Sequence, residues 1–147
     1  MKVYQALKEK KQIISAIAQL SKLIRENNST LEENEFEFNL NELFEKRNKK
    51  VEELIDLKFR LAKTAVKIQE SIFRMAELKT ELALLNEINT TQGSIESYSY
   101  GFDQIVVKRR KVQLSKVDVI ERVEAIIAEI NKTQAKIDEF NYSTNLL

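Results

Sequence analysis

Apolar residues recur along most of this chain with helical spacing. Ala6, Ile13, Ile17, Leu20 and Ile24 follow one another at steps of seven, four, three and four, and Val3, Leu7 and Ile14 widen the stripe. That pattern predicts a helix over residues 2–27 with a face too broad for a single partner helix. Asn27-Asn28-Ser29-Thr30 supplies residues that tolerate turn geometry and ends it. The acidic run that follows, around Phe36 and Phe38, has no period and reads as a loop.

A second helix is expected from Asn39, with Glu42 three residues on as the reciprocal member of a capping box. Leu40, Phe44, Val51, Leu54, Leu61, Ala65 and Ile68 keep helical spacing, and no Gly or Pro interrupts them before Gly93. A single helix through this stretch would run roughly 75 Å at 1.5 Å per residue. The competing expectation breaks it near residues 64–71, where Thr64, Val66 and Ile68 lower helix propensity and Ser71 offers a cap, giving helices over 39–65 and 71–90. Ile72, Met75, Leu78, Leu82 and Leu85 carry the next stripe, with Gly93 in place to stop it. Residues 94–114 read as a β-hairpin turning at Gly101-Phe102-Asp103, with Tyr98 and Tyr100 able to face Ile105 and Val107. Ser115-Lys116-Val117-Asp118 then opens a last helix over 116–141, striped by Ile120, Val123, Ile127, Ile130 and Ile137. The expected fold is a mainly α antiparallel bundle or coiled coil, one domain over 1–147, with one small hairpin before the last helix.

Composition narrows the chemistry. In 147 residues there is no Cys, His, Pro or Trp, and only two Gly. Without Cys or His the chain cannot build a Cys/His zinc site, a thiol nucleophile, a Ser/His/Asp relay or an imidazole pH switch. The tyrosines Tyr4, Tyr98, Tyr100 and Tyr142 have no identifiable base beside them, so no enzyme activity, cofactor or small-molecule substrate is expected. Glu32, Glu33, Glu35 and Glu37 lack the alternating Asp/Asn ligands and central Gly of a calcium loop, and no metal is expected there. The first residues show no apolar signal core and no stretch is long and apolar enough for a membrane span, so the expected location is cytoplasmic.

Net charge is +1, but the charges fall in blocks: residues 1–25 carry six bases and one acid, residues 26–45 seven glutamates and no base, and residues 108–116 five bases and no acid. Such alternation suits attraction between segments or between chains. The basic run Lys108-Arg109-Arg110-Lys111, preceded by Tyr98 and Tyr100, has the makings of a single-stranded nucleic-acid contact, with cations on phosphates and rings on bases. On a strand those cations alternate between faces, and lysines on an exposed edge also serve to prevent aggregation.

Several stretches resemble a family of small bacterial helical proteins of unknown function often labelled septicolysin: Ala6-Leu7 with Lys10-Lys11, Arg25-Glu26-Asn27-Asn28, Glu53-Leu54-Ile55, Ala76-Glu77-Leu78-Lys79, and Ile137-Asp138-Glu139-Phe140-Asn141-Tyr142-Ser143-Thr144. The resemblance runs over nearly the whole chain. It implies a helical, oligomeric protein with a small β element before the last helix, and carries no catalytic motif to transfer. The departure lies at residues 68–71, where the family has a glycine-containing turn and this chain has none. The leading expectation is a non-enzymatic, self-associating scaffold whose copies meet through Ile13, Ile17, Leu20, Ile24, Ile127 and Ile130. Nucleic-acid binding by the hairpin is the alternative, and membrane activity, suggested by the family label, a third.

Overall fold

The helical segments form where the stripes place them. The order is α1 (Val3–Glu26), α2 (Leu40–Ala65), α3 (Gln69–Glu87), β1 (Gly93–Tyr98), β2 (Ile105–Arg110) and α4 (Lys116–Ser143). The computed structural model describes residues 1–98 and 105–147; the expected turn at Gly101-Phe102-Asp103, and Tyr100, lie outside the described residues.

Burial follows a stricter rule than the apolar pattern alone. On α1 the covered positions include the run Val3, Ala6, Lys10, Ile13, Ile17, Leu20 and Ile24, stepping by three and four in alternation, with Glu9, Ala16, Ser21 and Leu23 half-buried on its flanks. The same steps run through Leu43, Arg47, Lys50, Leu54, Leu57, Leu61 and Thr64 on α2, flanked by half-buried Val51, Glu53 and Arg60, and through Val119, Val123, Ile126, Ile130, Thr133, Ile137 and Phe140 on α4. This is the 3.5-residue repeat of a coiled-coil seam, kept even where the residue is polar. Between α2 and α3 the backbone tightens into one 3₁₀ turn, Val66–Ile68. The seam keeps step through it, with Ile68, Ser71, Met75, Leu78, Leu82 and Leu85 covered in turn. Two α-helices are therefore present, but the break is a tightened turn and Ser71, expected as a cap, is a half-buried seam position inside α3. Gly93 likewise does not stop α3, which ends at Glu87; it opens β1 with a φ of 88°, a region where a side chain would be strained.

The chain gathers into two compact units, Met1–Glu70 with Ile137–Leu147, and Ser71–Lys136. In the first unit α1 and α2 run antiparallel: Arg47 Nε donates to Ser21 Oγ at 3.0 Å toward one end, while Ala6, Ile13 and Leu57 close a core cluster toward the other, backed by Ile17, Leu54, Leu61 and Leu146. α1 spends its seam on α2, and this pairing closes a core of its own. Asn39 caps α2 through its Oδ1, which accepts from the Asn41 and Glu42 backbone N–H groups at 2.9 and 3.3 Å.

The second unit draws its buried side chains, Met75, Leu85, Val119 and Thr133, from one seam on each of its two helices. Its sheet is a plain antiparallel ribbon with Tyr98 opposite Ile105 and Glu96 opposite Val107. α4 starts on a reciprocal cap: Ser115 Oγ accepts from the Asp118 N–H at 3.1 Å, and Asp118 Oδ2 accepts from the Ser115 N–H at 3.0 Å. Hydrogen bonding from the Ser115 backbone, then from the Ser115 side chain, holds the Asp118 carboxyl below its ordinary value. A carboxyl with a depressed folded pKa contributes stability above its unfolded pKa and loses it as pH falls through the folded one. Ser115→Ala is expected to cost about 1 kcal/mol in a denaturant titration at neutral pH, and Asp118→Asn to flatten the acid-side loss of stability that the wild-type protein shows.

Candidate interaction surfaces

The side chains expected to join copies are largely spent within the chain. Ile13 keeps 6% of its surface and Ile17 packs on the same cluster; Leu20 and Ile24, on the same seam of α1, are half-buried. Ile13 and Ile17 are thus corrected to an intramolecular seam, because the antiparallel return of α2 covers them. Ile130 is half-buried on the α4 seam, and Ile127 alone of the six remains open, at 42%.

What stays open in the first unit is the position after each seam residue. Leu7 follows Ala6, Ile14 follows Ile13, Phe44 follows Leu43 and Ile55 follows Leu54; all four are exposed. One residue is a 100° rotation, and on antiparallel helices equal rotations in chain direction bring both sets to the same side of the pair. That side is not dry. Lys58 follows Leu57, and counting from the Ser21–Arg47 bond, one residue back on α1 for each forward on α2, sets Lys10 beside it. The opposite side is a polar groove of about 710 Å³ lined by Tyr4, Gln5, Lys8, Glu9, Gln12, Ile13, Ala16, Lys50 and Glu53, with Lys50 and Glu53 paired to each other. It serves as a solvated flank of the helix pair.

One feature of the first unit was not read from sequence: residues 144–147 fold back as a clasp. Val3 N–H donates to the Thr144 carbonyl at 3.0 Å and Leu146 N–H to the Met1 carbonyl at 2.9 Å. Lys2 Nζ donates to the Ser143 carbonyl at 2.7 Å, and Arg60 Nε to the Leu147 carbonyl at 2.9 Å. The Leu147 N–H donates to Thr64 Oγ1 at 3.0 Å, and that hydroxyl donates in turn to the Arg60 carbonyl at 2.8 Å. The Tyr4 and Tyr142 rings meet with centroids 4.8 Å apart, which gives both tyrosines a packing role. The signal available in the sequence was Thr64 itself, a hydroxyl on a seam position, where burial demands a hydrogen-bond partner.

The basic run lies where it was expected. Lys108, Arg109 and Arg110 end β2 and Lys111 follows it, all exposed; Tyr98 ends β1. Strand alternation separates them: Arg109 shares a face with Ile105, Val107 and Glu96, while Lys108 and Arg110 share the other with Val106 and Ile95. No single face carries all the cations. At the far end of the α1–α2 pair, Asn27, Asn28, Phe36, Phe38, Asn39 and Leu40 line an open apolar-floored groove of about 390 Å³ beside Glu32, Glu33, Glu35 and Glu37. Among the described residues, no group of three or more acidic side chains is arranged to hold a metal ion, and no helix is long and apolar enough to cross a membrane. Comparison with protein-family models, with curated proteins and with solved structures gives no match.

Proposed function

We propose that this protein is a non-enzymatic, cytoplasmic helical scaffold that acts by associating with further copies of itself. The observation that supports this reading is its surface. Large apolar side chains lie open along the helices: Phe44 (45%), Ile55 (54%), Phe59 (58%), Phe73 (63%) and Leu84 (61%) all face solvent on α2 and α3. Burying a large side chain is worth roughly 1.5 to 3 kcal/mol, so further copies covering even part of these positions supply the drive for assembly. The oligomeric character implied by the septicolysin-like stretches points the same way. Size-exclusion chromatography with light scattering is expected to give a multiple of 17.1 kDa at micromolar protein; a monomer under those conditions overturns the reading.

A further inference from the structure

We propose that the association joins unlike surfaces, with the β1–β2 ribbon of one copy docking on the 31–38 loop and its groove in another. This rests on the self-association reading above and specifies its contact.

Both surfaces are open. All six residues of β2 are exposed, with Ile105 at 55% and Val107 at 58%. On the loop side Phe36 keeps 66% and Leu31 64% of their surfaces, next to the groove floored by Phe38 and Leu40. The ribbon ends in four cations, Lys108 to Lys111, and the loop carries four carboxylates, Glu32, Glu33, Glu35 and Glu37. The Lys22–Glu26, Lys50–Glu53 and Arg60–Asp56 ion pairs draw on neither cluster.

The chemistry matches in kind as well as in sign. The loop alternates charge and ring in Glu35-Phe36-Glu37-Phe38, and one face of the ribbon sets Ile105 and Val107 in line with Arg109, with Glu96 across from Val107. Apolar side chains with cations beside them thus meet apolar side chains with anions beside them, the arrangement that both buries area and orients the encounter. A two-stranded ribbon is marginal in water by itself and gains from being covered.

The signs also fix which patches meet. The four cations outweigh Glu96 on the ribbon and the loop carries carboxylates alone, so ribbon on ribbon and loop on loop repel. The contact therefore joins unlike patches, either made twice about a two-fold axis or repeated from copy to copy in a ring or filament.

The test uses two variants of exposed residues, R109E/R110E on the ribbon and E35K/E37K on the loop, each checked for helical circular dichroism and compared with the wild-type chain by sedimentation velocity. The wild-type assembly is expected to weaken as salt rises, as exposed charge contacts do. Each variant alone is expected to show an association Kd raised at least about tenfold, since like charges are then set against each other; mixing the two variants restores association, because each retains the surface the other has lost. If the wild-type protein is assembled and both variants keep its mass, the ribbon-on-loop contact is overturned while self-association stands. If the wild-type protein is monomeric, both fall. Tight binding of a labelled single-stranded oligonucleotide, lost in R109E/R110E with the assembly mass unchanged, overturns the contact in favour of a nucleic-acid role for the ribbon.

Discussion

Replacing Leu57 with alanine is expected to lower the unfolding free energy by roughly 2 to 5 kcal/mol, the cost of a buried leucine lost together with the cavity left behind. Leu57 retains 4% of its surface and stands with Ala6 and Ile13 at the centre of the α1–α2 core. Ala6 has no volume with which to fill the gap, and Ile13 is held on the opposing seam, so collapse around the site is limited. Ile55 is the internal control. It lies two residues away on the same helix and is 54% exposed, so in the dissociated chain Ile55→Ala is expected to stay within about 0.5 kcal/mol of wild type. Urea titrations of the two variants at low protein concentration decide it; equal losses would show that α2 does not pack through this seam.

Thr64→Val is the second large effect, and its sign is informative. Valine has the shape of threonine and is more apolar, so at a buried position with no polar duty the exchange is neutral or stabilising. Here the Thr64 hydroxyl is the acceptor for the Leu147 N–H and the donor to the Arg60 carbonyl, and the site is 2% exposed. Removing it leaves the Leu147 N–H without its acceptor, which costs about 1 to 3 kcal/mol. Removing residues 145–147 from the wild-type chain is expected to be destabilising too, and the two changes together to cost less than the sum of the parts, because they break one network. Thermal unfolding of the four chains measures this coupling. A stabilised Thr64→Val chain would mean that the clasp is not docked.

The helices were legible because each is written twice, in apolar spacing and in end signals. Asn39 and Ser115 begin α2 and α4 where their side chains predict, and the ribbon appears between the last two helices. What the apolar pattern could not give was the choice of seam. The stripe on α1 is two residues wide, Ala6-Leu7 and Ile13-Ile14, and the first member of each pair is covered while the second is exposed. Spacing weighs both members equally; only the position of α2, and the Lys10 and Arg47 seam positions that no apolar pattern selects, separates them. This is why Ile13 and Ile17 were assigned to contacts between copies and found in the core. The break after Ala65 was blurred for a related reason. The β-branched Thr64, Val66 and Ile68 weaken an α-helix without ending it, and the chain answers with a single 3₁₀ turn that keeps the seam in step. The clasp was the hardest to foresee, since its bonds join residues more than 80 positions apart and on the tail side use backbone groups, which carry no residue-specific signal; Thr64 on its seam marked only one end of them.

The account turns on whether the apolar surface left open by the chain's own packing is covered by other copies. Hydroxyl-radical footprinting of Phe44, Phe59 and Phe73, read by mass spectrometry across a protein dilution series, measures that coverage directly. Protection that grows as concentration rises is the expected result. Labelling that stays constant at the rate set by the 45%, 58% and 63% exposures of these rings would contradict it.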